Sequence, residues 1–334
     1  MIGYHASLTI TPTPLPVGLA LLRLTLLLAL DRAAQLPVAK GALIRGGFGH
    51  AFQRVVCAEP CWGNAASCPN RTSCAYHLVF EPTRAADSAG PLADQHDLPR
   101  PFAIQLPDDP RTQFAAGDTL RFGLTLVGTG TAHLTQFVLA AAQLGALGLG
   151  QERAPATLTH VAARDPWSAA ETPIYQRGTV LRGTTLPQIT TDDLAARAPT
   201  LPATLRLVCE TPLRLKDGGA ILRRFALPVL VRALCLRLTS MAAAFGPTPW
   251  QPDHRRLVAL AAQVPVQDDQ LRWVERARIS NRTGAPQTVE LGGLVGSVVL
   301  REVPAELRAL LLAGSFIHAG KATTAGNGQY RLEW

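Results

Sequence analysis

The sequence predicts an α+β chain of two tandem ferredoxin-like domains, with a cysteine-rich insertion in the first. Three observations predict it. A β-α-β-β-α-β succession of patterns appears twice. A stretch from Asp193 to Pro202, carrying Pro199 and Pro202, separates the two copies as a linker. Four cysteines between 57 and 74 interrupt the first copy. The expected domains are 1–192 and 203–334.

The elements follow in order. Leu19 to Leu30 reads as a buried strand, and Leu43 to Cys57 as a helix whose Phe48, Phe52 and Val55 recur at helical spacing. YHLVFEP reads as a strand beside the cysteines, followed by a polar loop from Thr83 to Arg100. PFAIQLP and Asp118 to Gly128 read as strands, the second with clear alternation. His133 to Gly148 is a helix pattern ending at glycine, and ATLTHVAA is a further strand. In the second copy Ala203 to Leu215 is a strand. AILRRFALPVLVRALCLRLTSM is a helix in which Pro228 marks a kink or a late start. A Pro-rich loop, the strands RWVERARI and GGLVGSVVL, the helix PAELRALLLAGS and the strand GQYRLEW complete it.

With 334 residues, 47% of them hydrophobic and 17% charged, the chain has the material for a large core, which argues against wholesale disorder. The apolar run from Val17 to Leu30 is interrupted by Arg23 and closed by Asp31 and Arg32. It is read as a strand instead of a signal or membrane segment, with the cytoplasm as the expected compartment. Net charge is +8, and among 32 basic residues only Lys40, Lys216 and Lys321 are lysine. Arginine presents a rigid fork suited to phosphate, so the balance favours nucleic acid over an acidic protein partner.

Cys57, Cys61, Cys68 and Cys74 are close enough in sequence for a four-thiolate structural zinc site, or are unligated thiols, since the paired knuckles of common zinc motifs are missing. Cys209 and Cys235 sit in apolar patterns and read as core. His77, beside the cysteines, reads as a metal ligand or a solvent-facing side chain. Walker, H-E-x-x-H, G-x-S-x-G and dinucleotide motifs are lacking, and in HAGKATTAGNG the lysine precedes the glycines where a P-loop needs it after them. His50 follows RGGFG between Arg45 and Arg54. A histidine there can exchange a proton with a hydroxyl while the arginines offset charge on a phosphate, or it is a surface histidine on a basic helix. Arg214 with Lys216, and Arg276 with Arg278, alternate on strands. Together with Arg282 and Lys321 they form either a positive track for a phosphate backbone or a solvated face.

Four stretches carry a resemblance over most of the chain: LIRGGFGHAFQRVVC with the cysteines and CAYHLVFE; DTLRFGLTLVGTG with the helix ending in GALGLG; TPLRLKDGG before a long helix; and ARISNRTGAPQTVELGGLVGSVVL running on to LLLAGSFIHAGKATTAGNGQYRL. Through them the chain resembles the Cas6-type CRISPR precursor-RNA processing endoribonucleases of the RAMP superfamily. The resemblance implies tandem ferredoxin-like domains, binding of a CRISPR repeat RNA, and one metal-independent cut per repeat that leaves a 2′,3′-cyclic phosphate and a 5′-hydroxyl. It places the acid–base role at His50, with Arg45, Arg54 or Lys40 supporting the phosphate. It implies RNA contacts at Lys321, Thr323 and Asn327 in the Gly-rich loop and at His318 beside it, a histidine that from the residues alone reads first as packed in the core or a turn and only then as an RNA contact or catalyst. No cofactor is expected for catalysis, only a structural zinc on the cysteines. Other Cas proteins are expected partners and a membrane is not. The rival readings are a non-catalytic repeat-RNA-binding subunit of an effector complex, and a basic structural protein with a zinc-stapled insertion.

Overall fold

A computed structural model describes residues 13–57, 68–83, 98–106, 109–168, 170–181, 183–280 and 287–334. Its framework is a pair of antiparallel sheets. The first runs in the order Phe102–Gln105, Thr119–Val127, Ala20–Leu30, Ala156–Arg164, Glu171–Gln176, Thr179–Val180, with Ile189–Thr190 pairing at the start of the central strand. The central strand pairs Leu24 with Leu124 and Leu26 with Phe122, so one register places the leucines of alternate positions on a common face. Leu22, Leu24, Leu26 and Leu28 are buried there under helices α1 (Lys40–Val56) and, further along the chain, α3 (Leu134–Leu147). Each fully buried leucine contributes roughly 2 kcal/mol.

Phe48 and Phe52 of α1 meet Phe137 of α3 at centroid distances of 5.9 and 5.2 Å. That cluster decides the conformation of the next segment. YHLVFEP, expected as a strand, forms the short helix α2 (Ala75–Phe80). A helix turns Tyr76, Val79 and Phe80 to one side, and Phe80 lands 5.0 Å from Phe52 and 5.1 Å from Phe102.

The segment expected as a linker has regular structure. Thr191–Arg197 forms helix α4, opened by a capping box between Thr190 and Asp193, and a 3₁₀ turn (Ala198–Thr200) follows. Leu194 and Ala198 are buried in the second core.

In the second sheet, Val266–Gln267 and Arg272–Val274 both pair with Gly293–Leu300, which pairs with Leu205–Leu213, which pairs with Tyr330–Glu333. Helices α5 (Leu227–Phe245), α6 (His254–Gln263) and α7 (Ala305–Ile317) accompany it. Pro228 lies in the first turn of α5, so of the two expectations the late start holds; proline's missing N–H costs nothing there. Helix α6 occupies the expected Pro-rich loop, with Asp253 capping it by accepting from the Arg256 amide. By length and composition α5 is apolar enough to cross a membrane, but 61% of that window is buried inside the protein.

The core of the second half reaches into the first. Leu21 and Val127 of the first sheet, with Leu19 just before it, belong to the same buried cluster as Leu205, Leu238 and Leu310. Arg23, on the opposite face of the central strand from the leucine stripe, lies over Phe316 at 4.4 Å, and the Leu106 amide donates to Gln329 Oε1 across the junction.

Candidate nucleic-acid interface

Helix α1 carries basic chemistry at both ends. His50 lies exposed on its solvent side, ten residues from the start. Its imidazole pKa is lowered from the ordinary histidine value, first by partial burial and then by the positive charges of Arg54, Arg153 and Arg45. At neutral pH it is therefore a neutral ring, able to accept a proton. Arg45 folds back over the Phe80 ring at 5.0 Å, while Arg54 is exposed. Arg153 sits in the turn after α3 with a positive φ of 48°. Nothing in the sequence pattern marks Arg153 as a neighbour of His50, because the fold alone brings them together.

Lys40 begins α1 and is only 5% exposed. Its ammonium donates to the carbonyls of Asp109 and Arg111, both at 2.7 Å, and lies 5.5 Å from the Phe114 ring centroid. Desolvation lowers its pKa, partly offset by Asp109. Lys40, expected as a phosphate support, here anchors the 109–111 loop to the helix start. Arg276, half-buried, lines the same narrow cavity with Lys40, Arg121 and Glu210.

The Gly-rich loop also packs on the start of α1. Gly41 faces the Ala325 carbonyl so closely that a Cβ there has no room. Nine residues separate Gly41 from His50, about 14 Å along the helix at 1.5 Å per residue. At 3.6 residues per turn those nine residues also place His50 on the opposite face of the helix from Gly41, so His50 and the loop do not touch through α1.

Within the loop the amides of Ala319, Lys321 and residues 325–328 donate to backbone carbonyls, and that of Gln329 to Thr211 Oγ1. Gly328 combines a φ of 71° with a backbone so near Ala319 that a side chain would collide. The picture of exposed loop amides gripping phosphate is corrected for these seven donors, which are already engaged.

Three residues expected as RNA contacts are buried. Thr323 is 5% exposed. Asn327 is 6% exposed, and its amide donates to the Leu291 carbonyl at 2.8 Å. His318, the residue after α7, is fully buried and adopts a φ of 63°. Burial, and then the charges of Arg237 and Arg23, push its pKa down to about 3. Those two arginines bind the end of α7, Arg237 Nε donating to the Ile317 carbonyl at 2.9 Å and Arg23 Nη2 to the Ser315 carbonyl at 3.4 Å. Cations belong at the carbonyl end of a helix.

Lys321 and Lys216 are exposed, Lys216 in a tight hairpin (Lys216–Asp217 with Ala220–Ile221). The Lys321 amide is tied to the Arg214 carbonyl at 3.0 Å. The Arg214 guanidinium bonds the Gly292 carbonyl and Glu290. Arg214 and Lys216 therefore do not share a strand face, because the strand ends at Leu213. Arg278 belongs to a hairpin strand (Ala277–Ser280), Arg276 precedes it, and Arg282 lies outside the described residues.

Cys57, Cys68 and Cys74 line one cavity with Asn70 and Ser73, and Cys61 lies outside the described residues. Among the described residues no group of three or more His, Cys, Asp or Glu side chains is placed to hold a metal ion, so these three thiols alone do not form the site. His77 is buried, with its Nε2 3.0 Å from Thr83 Oγ1. Cys209 and Cys235 are buried as expected, and desolvation pushes both thiols up to about 12.

Comparison with known proteins places the second half. A model described as CRISPR-associated endoribonuclease Cas6 matches residues 207–330, and a model described as an N-terminal domain matches residues 18–188. The second half is therefore a Cas6-family domain. Among solved structures the Cas6 resemblance extends over nearly the whole chain. A partial Cas6-RT-Cas1–Cas2 complex superposes with a TM-score of 0.58 at 15% identity, over 96% of this chain and 47% of that one. This chain thus spans about half the length of that relative. A Cas6 product complex gives 0.54 at 17% identity, covering 94% of this chain and 99% of the other. Thermus thermophilus Cas6 gives 0.53 at 15% identity, covering 95% and 100%. At these identities the likeness concerns the fold. No curated protein matches the sequence.

Proposed function

We propose that this chain is a metal-independent endoribonuclease that cuts CRISPR precursor RNA within its repeats, with His50 as the general base. The observation that carries the reading is the setting of His50: an exposed imidazole on α1, kept neutral by partial burial and by Arg54, Arg153 and Arg45. In the reaction a ribose 2′-hydroxyl gives its proton to the imidazole as its oxygen bonds to the adjacent phosphorus. The bond from phosphorus to the 5′ oxygen breaks, and that oxygen leaves with a proton. The products carry a 2′,3′-cyclic phosphate and a 5′-hydroxyl. The arginines oppose the charge that develops on the phosphate. The solved Cas6 product complex supports RNA as the ligand.

The same proposal takes each half as a ferredoxin-like unit, bounded near 1–192 and 203–334. Its support is the strand order. In both sheets the first strand of the half lies between the third and fourth, with the second outside the third. A cytoplasmic site of action and a structural zinc on Cys57, Cys61, Cys68 and Cys74 belong to the proposal as well. The three thiols around one cavity favour that zinc, and metal content below about half an equivalent in purified protein would remove it.

Incubation with labelled repeat RNA in EDTA tests the main reading. The expected result is one cut per repeat, lost in His50→Ala. RNA bound tightly but left intact would favour the non-catalytic subunit.

A further inference from the structure

On the second half, away from His50, a cavity of about 870 Å³ opens between α5, the Lys216–Ile221 hairpin, the Gly320–Lys321 turn and Leu98–Arg100 of the first half. Six basic residues line it: Arg100, Arg214, Lys216, Arg232, Arg237 and Lys321. Asp217 is its one acidic lining residue, and it is paired with Arg232 at 2.6 Å. Arg237 is the deepest of the six. It is fixed to the Ile317 carbonyl through Nε, while its Nη2 is buried without a hydrogen-bond partner. The remaining wall is apolar: Leu98, Pro99, Val229, Ala233 and Leu236, the last 48% exposed.

Two features define what fits. A surplus of guanidinium and ammonium groups over carboxylates in the lining selects an anion, and the arginine fork suits phosphate. A bare phosphate would leave Leu236 and its apolar neighbours wet, whereas a nucleotide covers them with its base. The volume is that of a small-ligand site, larger than one phosphate needs.

We propose that this cavity holds one nucleotide of the bound RNA strand, its base on the Leu236–Pro99 wall and its phosphate among Lys321, Lys216 and Arg232. The inference rests on the RNA-processing reading but concerns a site distinct from the His50 surface. It makes Arg100, Arg232 and Leu236 specificity residues that the sequence pattern did not single out. Because the wall draws on both halves, the strand would bridge them here.

The test is binding of fluorescent repeat RNA to wild type, Lys321→Ala and Leu236→Asp at several salt concentrations, with cleavage followed in parallel and circular dichroism checking the fold. Adenosine 5′-monophosphate is titrated separately. The expected result is about tenfold weaker RNA binding in each variant. In Lys321→Ala the slope of log affinity against log salt falls by about 0.7, one phosphate contact to a single strand. The monophosphate is expected not to saturate below millimolar levels, which assigns the site to strand-borne nucleotides. Variants that bind RNA as wild type does, while wild type binds and cuts, would overturn the cavity and leave the endoribonuclease reading intact. If wild type neither binds nor cuts RNA, that reading fails and the monophosphate decides the cavity. Saturable binding lost in Lys321→Ala keeps a nucleotide site, and no binding overturns it.

Discussion

Two glycines of one helix give opposite answers to the same substitution. In an isolated helix, glycine to alanine is stabilising by about 0.5–1 kcal/mol. Gly46, exposed on α1 with nothing within 4 Å of a built Cβ, should follow that rule. Gly41 should not. A Cβ there would sit 2.6 Å from Leu106 Cδ1 and closer still to the Ala325 carbonyl oxygen. The leucine tip can rotate away, but the carbonyl belongs to a loop fixed by seven amide hydrogen bonds, four within it and three to residues 211–214. Ordinary contact starts near 3.4 Å, so helix and loop must part by roughly an ångström or more. Overpacking of this kind costs about 1–3 kcal/mol. After the smaller propensity gain of the first turn, Gly41→Ala should lose about 1–2 kcal/mol while Gly46→Ala gains a fraction of one. Thermal denaturation of the pair, at about 2–4 °C per kcal/mol for a unit of this size, should separate them by roughly 4–10 °C. Gly41→Ala melting at or above Gly46→Ala would refute the packing of the Gly-rich loop on α1.

Three further outcomes follow from the charged residues. Because burial and three arginines lower the His50 pKa, the acid limb of the cleavage rate should have its midpoint below 6.5. Arg54→Ala should move that midpoint upward in a rate–pH profile. For His318 the folded pKa, about 3, lies below the unfolded value near 6.5, so the unfolded state takes up the proton first as pH falls. Stability should therefore drop from pH 6.5 downward, by about 2 kcal/mol between pH 7 and 5 from this group alone, and urea midpoints of His318→Gln should lack that part of the slope. Lys40→Met should lower stability by about 2–4 kcal/mol, since it orphans two carbonyls, while leaving the salt dependence of RNA binding unchanged. A reduced salt slope with unaltered stability would instead make Lys40 a phosphate ligand.

Much of the framework was legible because it rests on local periodicity. The central strand, α1, α3 and the long α5 show their apolar faces in sequence, and the structure moves their ends by only a few residues, apart from the late start of α5 at Pro228. The failures have physical causes. YHLVF alternates like a strand, but Tyr76, Val79 and Phe80 together reach the Phe52–Phe102 cluster only when wound as a helix, which leaves Leu78 outside. The Thr190–Asp193 capping box was present in the sequence, and the nearby prolines masked it. In the candidate interface, His50 and its arginines stand on α1 where local spacing puts them. The burial of Lys40 and Asn327 is not legible, since each is covered by segments distant in sequence, whereas packing in the core or a turn is the reading that the position of His318 favours and the structure shows it buried. The Lys40 ammonium is held by carbonyls about seventy residues away. Arg100, Arg232 and Arg237 converge only through tertiary contacts of both halves.

The chemistry of the cut ends tests the central claim most directly. Repeat RNA incubated with the protein in EDTA should yield a fragment ending in a 2′,3′-cyclic phosphate, its partner beginning with a 5′-hydroxyl, and His50→Ala should leave the RNA whole. Fragments with 3′-hydroxyl and 5′-phosphate ends, or cleavage that needs added metal, would contradict internal attack by the 2′-hydroxyl and the role assigned to His50.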